Sequence, residues 1–342
     1  MTETLGASDE KGGYRQINKA LNICAFEDYL NGQTATLQPI PDVEQITSRV
    51  LRVRGQNPGR FTFQGTNTFV IGTGPSRILI DTSGGEPEYA KLLASTLESC
   101  NISIKYVLIT HWHGDHSGGV PDLLRLYPDL EDHVYKNDPE PGQQDIVDGQ
   151  LFYVEGATVM AVHAPGHSED HMCFILKEEE SMFTGDNILG TGTSAVEDLG
   201  VFMSSLQKMK DKNCKVGHPA HGHTIKDLNT KIKKELISKL RREKQVVEAM
   251  QSLCERGEKR QTVRHIVDSM YGTSVDETTR TLALEPFIDE ILRKLAGDGR
   301  VGFEKRDGRK RWFLVPNEQL GSQLDRTKRA VFQAGLVRTF AV

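Results

Sequence analysis

At 342 residues the chain is too long for one average domain, and 37% apolar residues with 32 glycines is ordinary globular usage, so one large domain and one smaller domain are expected. No uninterrupted apolar stretch reaches the roughly 18 residues of a membrane span, and residues 1–13 lack the basic start and apolar run of a signal peptide. A membrane protein is therefore not expected; the five cysteines, odd in number and without a C-x-x-C pair, read as reduced thiols and the expected location is the cytoplasm.

The net charge of −5 is unevenly placed. Residues 229–342 hold 24 Lys/Arg against 16 Asp/Glu, whereas residues 1–228 hold 18 against 31. The basic C-terminal part either meets something acidic, a nucleic acid or an acidic protein, or presents a solvated face.

In chain order, residues 1–13 have little to bury and read as disordered. The apolar positions Ile17, Leu21, Ile23, Cys24, Phe26 and Leu30 predict a short docked helix over 14–30, broken by Pro39 and Pro41. Runs rich in β-branched and aromatic residues predict strands at 50–53, 67–71 and 77–81. Helices are predicted at 87–99 and 120–126, and strands at 106–110, 158–162, 172–176 and 182–184. Short strands interspersed with helices give a layered α/β fold. A long basic helix over 226–253 places Ile232, Leu236, Leu240, Val247 and Met250 on one face. A helix over 262–271 follows, then one opened by Pro286 that buries Phe287, Ile288, Ile291, Leu292 and Leu295. A hairpin turning at Asp307-Gly308 completes a winged-helix-like module. The expected organisation is an N-terminal extension over 1–47, a catalytic domain over 48–227, the winged-helix-like domain over 228–317 and a tail over 318–342.

The chemistry concentrates where the strand 106–110 runs into His111-Trp112-His113-Gly114-Asp115-His116. His111 and His113, two apart on extended backbone, point the same way. Asp115 and His116 follow the turn at Gly114 and face a second position. Further ligands follow in order at strand ends: His167 in Pro165-Gly166-His167, Asp186 in Thr184-Gly185-Asp186, and His221 in Pro219-Ala220-His221-Gly222. The expected arrangement is His111, His113 and His167 on one ion, and Asp115, His116 and His221 on another. Asp186 bridges the two, as in two-metal hydrolytic centres. Imidazoles and carboxylates suit two divalent ions, zinc first, with manganese or iron also accepted. His218 and His223 flank His221 closely enough to leave the last ligand open by two or three positions, and the Pro-x-His-Gly turn favours His221. His163 reads as a packed strand end. His171, beside Asp170, either supports the site or contacts substrate, or is purely structural.

These motifs, H-x-H-x-D-H followed by G-H, G-D and a late H, resemble the metallo-β-lactamase superfamily, with Gly65-Thr66-Asn67-Thr68 and Leu79-Ile80-Asp81 resembling its opening strands. The resemblance implies a four-layer αββα fold and makes Asp81 a residue that orients a ligand. A narrower resemblance rests on residues 13–24, on Gly55-Gln56-Asn57-Pro58-Gly59 and on 111–119. These are similar to the fungal metallo-β-lactamase-type thioesterases of non-reducing polyketide synthase pathways, the atrochrysone carboxyl ACP thioesterase-like enzymes. The trailing helical module resembles that of a related group containing a mitochondrial endoribonuclease. One departure is Asp81-Thr82-Ser83-Gly84, where a glycine is expected directly after the threonine.

The resemblance implies hydrolysis of a polyketide acyl thioester held on an acyl-carrier-protein domain of a polyketide synthase. A metal-bridging hydroxide would attack the acyl carbon, Asp115 would orient it and accept its proton, and a polyketide carboxylic acid would be released. The partners expected are that carrier protein and the small-molecule polyketide, with no membrane and no nucleic acid. Carrier proteins are commonly acidic, so Lys233, Lys234, Arg241 and Arg242 would steer one. Two alternatives are an endoribonuclease using the same two-metal site and a non-catalytic winged-helix nucleic-acid-binding protein.

Overall fold

The structure is a computed structural model and describes residues 37–316 except 60 and 307. The expectations for 1–13, for the helix over 14–30 and for the tail over 318–342 lie outside the described residues. The described chain divides into two compact units, 37–236 and 237–316.

The first unit is built on two sheets. The first contains β1 (Val43–Gln45), β2 (Val50–Arg54), β3 (Asn67–Ile71), β4 (Ser76–Ile80), β5 (Ser103–Leu108), β6 (Val134–Lys136) and β7 (Gln144–Asp145), in that spatial order. It is antiparallel from β1 to β4 and parallel from β4 to β7. The second contains β8 (Leu151–Val154), β9 (Ala157–His163), β10 (Met172–Leu176), β11 (Ser181–Gly185) and β12 (Val216–Pro219), in the order β12-β11-β10-β9-β8. Helices α1 (Pro87–Ser99) and, after the single turn α2 (Gly114–Ser117), α3 (Val120–Leu126) join the first sheet. Helix α4 (Leu199–Asp211) and the start of α5 (Leu228–Glu255) join the second.

Strand alternation sorts the apolar side chains into three cores. Phe69, Ile71, Ile78 and Ile80 face Val159, Ala161, Phe174 and Phe183 between the sheets. The intervening Val70 and Leu79 point the other way, onto Leu93 and Leu97 of α1 and Leu123 of α3. On the far side, Cys173, Ile175 and Met182 meet Phe202, Leu206 and Met209 of α4 and Leu228 and Ile232 of α5. Three cores between four layers are the αββα sandwich expected. The sheets are tied at one edge, where Met172 N–H donates to Thr110 O at 2.7 Å and Asn67 N–H donates to Ala220 O at 2.7 Å.

The second unit comprises the rest of α5, α6 (Val263–Tyr271), a turn and a π-turn over Arg280–Leu284, α7 (Glu285–Gly297) and the hairpin β13 (Val301–Arg306) and β14 (Arg309–Leu314). Its core holds Val246, Met250, Leu253, Ile266, Ile288, Ile291, Leu292, Leu295 and Trp312. Phe287 is half-buried rather than buried. The buried face of α5 differs from the expected one. Leu240 is 52% exposed, and Val246 rather than Val247 is fully buried. The buried stripe continues from Glu243 to Val246, Met250 and Leu253, whose spacing of three and four residues follows the helical period and leaves Leu240 outside.

Candidate metal centre

Each residue of the centre lies where a strand releases the chain at the tied edge of the sandwich. The segment after β5 carries His111 and His113, and α2 turns Asp115 and His116 inward. His167 sits in the turn between β9 and β10, Asp186 follows β11, and His221 follows β12.

His111 Nε2 is 2.8 Å from His113 Nδ1, and His167 Nε2 is 3.2 Å from His111 Nε2 and 3.1 Å from His113 Nδ1. Hydrogen bonds on the far sides of two rings set their tautomers. The Thr110 hydroxyl donates to the Asp81 carboxylate, so its oxygen accepts from His111 Nδ1 at 3.0 Å. His167 Nδ1 donates to Ala195 O at 2.8 Å. Both Nε2 atoms are then lone pairs 3.2 Å apart, a contact that repels unless a cation lies between them. A tetrahedral ion with bonds of about 2.0–2.1 Å separates its nitrogen ligands by about 3.3 Å, close to this spacing.

The second group is complementary. His116 Nδ1 donates to Asp81 Oδ2 at 2.9 Å, which turns His116 Nε2 toward Asp115 Oδ2 at 3.3 Å and Asp186 Oδ1 at 3.6 Å. His221 Nε2 is 3.2 Å from each of the same two oxygens. The other oxygen of Asp186, Oδ2, is 3.6 Å from His167 Nε2, so its carboxylate presents one oxygen to each group. Asp115 Oδ1, His116 Nε2 and Asp186 Oδ1 are buried with no hydrogen-bond partner, the condition of atoms shaped to ligate. The His111, His113, His167 and Asp186 donors and the Asp115, His116 and His221 donors form two sets, each within 4.8 Å. The residues present fit metal ions.

The two groups differ electrostatically. Burial, then the neighbouring imidazoles, hold His111 well below the usual histidine range. Burial and His167 bring His113 to about 3, and burial lowers His167 despite Asp186. These rings are neutral donors. Burial also opposes charge on His116 and His221, but Asp115, Asp186 and Asp81 outweigh it at His116, and Asp186 and Asp115 raise His221 to about 9. Burial opposes ionisation of Asp115 and Asp186, yet His116 and His221 hold both below the usual carboxylate range. Protons thus occupy the second group until a cation replaces them. Metal uptake there should release protons, and because His221 is raised to about 9 and His116 is raised as well, apparent affinity should climb with pH up to and through that value. Competition with a chromophoric chelator between pH 6.5 and 9.5 reads this; a flat profile would show that His221 is not displaced from its proton.

The metallo-β-lactamase superfamily signature matches residues 61–246, more than half of the chain. The chain belongs to the metallo-β-lactamase superfamily. An atrochrysone carboxyl ACP thioesterase of Claviceps purpurea is 66% identical over 306 residues, covering 90% of this chain and 99% of that protein. One from Pseudocercospora fijiensis is 64% identical, covering 90% and 93%. Among solved structures, a β-lactamase domain protein from Burkholderia ambifaria superposes with a TM-score of 0.65 at 16% identity, over 82% of this chain and 96% of that one. At that identity the likeness is one of fold.

In this metallo-β-lactamase scaffold, all seven residues expected as ligands converge, and the three late histidines point in different directions. His218 is buried between Phe69 and Phe183, stacked on the latter at 4.9 Å. His223 Nε2 turns to Gln38 O at 3.3 Å. His221 alone of the three meets the carboxylates. His171 is fully buried against His111, and its Nε2 accepts the Asp186 N–H at 3.0 Å. His163 lies at the end of β9, with its ring 3.0 Å from Glu169 O.

Sequence reasoning missed three supports. Thr110 joins Asp81 to His111; Thr66 Oγ1 is 3.3 Å from Asp115 Oδ2; and Asn67 Nδ2 donates to Pro219 O and Gly222 O, pinning the turn that holds His221. Asp81 accepts from Thr110 N, Thr110 Oγ1 and His116 Nδ1 from a left-handed backbone at φ 60°. Asp81→Ala should therefore weaken metal affinity about 10–100-fold without removing a ligand. Isothermal titration of metal into stripped protein checks this; unchanged affinity would deny Asp81 an orienting role.

Proposed function

We propose that the chain is a binuclear metal-dependent thioesterase that releases a polyketide carboxylic acid from an acyl-carrier-protein domain of a polyketide synthase. The observation that carries the substrate class is 66% identity, over nearly the whole of both chains, to the protein named atrochrysone carboxyl ACP thioesterase. The two-metal reading is supported by Asp186, whose two oxygens face different ligand groups.

His111, His113 and His167 would hold one ion and Asp115, His116 and His221 the other, with Asp186 shared. Bound ions of this kind, zinc by the donor set, would lower the pKa of water to about 7 and polarise a carbonyl. The chain does the rest. Asp115, kept ionised by His116 and His221, leaves Oδ1 unpaired to accept a hydrogen bond from the attacking water and then its proton. Thr66 Oγ1, 3.3 Å from Oδ2, and the rigid α2 turn hold that carboxylate in place. A thiolate leaves far more readily than an amine, so no strong general acid is required. The structure accordingly need not supply one for a thioester.

The test is incubation with an acyl-loaded carrier protein, following free acid by mass spectrometry, alongside elemental analysis. Release of the acid with about two transition-metal ions per chain is expected. Degradation of single-stranded RNA without thioester turnover would replace this reading with a ribonuclease. Full activity at one ion per chain would overturn the binuclear assignment.

A further inference from the structure

Helix α5 breaks the amphipathic rule within the second unit. At about 100° per residue, its buried positions Glu243, Val246, Ala249, Met250 and Leu253 define one side. Ile237, Leu240, Arg241 and Lys244 fall within an arc of about 100° on the opposite side. Ile237 is 63% exposed and Leu240 is 52% exposed, while Glu243 is buried. The helix is locked in this rotation: Glu243 meets Lys294 at 2.8 Å and Arg300 at 3.4 Å, so turning the aliphatic pair inward would strand a carboxylate. Arg241 and Lys244 are exposed on the same arc; Glu248 falls on it too and pairs with Lys244 at 3.5 Å, so Arg241 gives this face its net positive charge. Arg242 is turned aside, its guanidinium lying 4.7 Å over the Phe287 ring.

An aliphatic pair with a cationic border has the anatomy of a docking patch, apolar at the centre and charged at the rim. We infer that the Ile237, Leu240, Arg241 and Lys244 face of α5 docks the acidic carrier protein that delivers the thioester. This rests on the thioesterase reading and deepens it. The occupant is chosen by charge: residues 229–342 carry 24 basic against 16 acidic side chains, in contrast with the acidic remainder, and a carrier protein is commonly acidic. Charge alone would place the contact anywhere on the basic region. The aliphatic pair fixes it to one helix face and requires apolar side chains on the carrier opposite Ile237 and Leu240.

The experiment compares the full chain with Ile237→Ser/Leu240→Ser and, separately, with Arg241→Glu. The substrates are one acyl group on a carrier protein and the same acyl group as its N-acetylcysteamine thioester. The double variant should raise KM for the carrier-bound substrate at least tenfold with kcat unchanged, and should turn over the small thioester within twofold of wild type. Arg241→Glu should raise the carrier KM about three- to fivefold at low salt, and the difference should fade at high salt. Calorimetry with the phosphopantetheinylated carrier lacking an acyl group should show the same weakening in Kd. An unchanged carrier KM and Kd, or equal losses on both substrates, overturns the inference. So does loss of self-association in the double variant with carrier binding intact, which would assign the face to a second copy of the chain. If wild type hydrolyses neither thioester, the thioesterase reading fails, and the carrier Kd still decides the docking face.

Discussion

Asp186→Ala should leave about one metal ion per chain and lower thioester turnover by at least about 10³-fold. On the proposed binuclear reading, losing one ion would remove several kcal/mol of transition-state stabilisation, and each 1.36 kcal/mol is a factor of about ten. The effect is specific to this residue because its two oxygens face different groups: Oδ1 is 3.2 Å from His221 Nε2 and Oδ2 is 3.6 Å from His167 Nε2. In the metal-free state, removing the carboxylate also withdraws the negative charge that does most to raise His221, so this imidazole should titrate closer to an ordinary histidine. Elemental analysis with steady-state kinetics on the same preparation checks the first claim, and NMR titration of the stripped variant checks the second. Two ions and wild-type turnover in Asp186→Ala would eliminate the bridging role. His113→Ala should likewise lose metal and activity together, since His113 Nδ1 closes the nitrogen triangle with His111 and His167.

What could be read in the sequence follows from how local each cause is. The residues that converge at the candidate centre are legible because each sits in a short motif at a strand end. The strands β3, β10 and β11 are legible because short, mostly uncharged and apolar runs are what a strand buried on both faces needs. Short strands such as β6 and β7 were not, since two or three residues with mixed polarity carry no period. Helix α4 was missed as well: Leu199, Phe202, Leu206 and Met209 have helical spacing, but glycine and serines are interleaved with them. The i+4 count misplaces Leu240 because it drifts ahead of the 3.6-residue period; the buried Val246 and Met250, with the ion pairs of Glu243 to Lys294 and Arg300, show which way the helix turns.

The departure at Ser83 was visible as a pattern but not as a cause. The backbone there is left-handed, φ 62°, which explains why a glycine is the expected residue. Serine is held in that conformation by a hydroxyl placed 2.8 Å from Gly55 O and 3.0 Å from Glu86 Oε2. Gly55 makes room for it, because a Cβ there would lie 2.3 Å from Ser83 Oγ. Two positions far apart in sequence thus fit one another, and neither motif alone discloses it.

Gly166→Ala should cost both stability and catalysis, which makes it the sharpest test of how the fold holds the site. Gly166 has φ 121°, a conformation open essentially to glycine, and an added Cβ would fall 2.4 Å from both N and Cα of Phe202. Those are backbone atoms of α4, not the end of a flexible side chain, so the turn or the helix must move. The same turn is bound by its neighbours, since Glu197 N–H donates to Gly166 O at 2.8 Å. The next residue, His167, must hold Nε2 within 3.1–3.2 Å of two other ligand atoms. A shift of about 1 Å there is enough to cost about 10²-fold in rate, and the expected loss of stability is about 3 kcal/mol or more from strain and overpacking together. Gly142→Ala is the control. Its φ is 88° but nothing lies within 4 Å of the added Cβ, so it should show only the backbone penalty of about 1–2 kcal/mol and leave turnover intact. Thermal melting and kcat/KM on a small thioester, measured for both variants, separate the effects. If Gly166→Ala behaves like Gly142→Ala, the approach of α4 does not constrain the His167 turn.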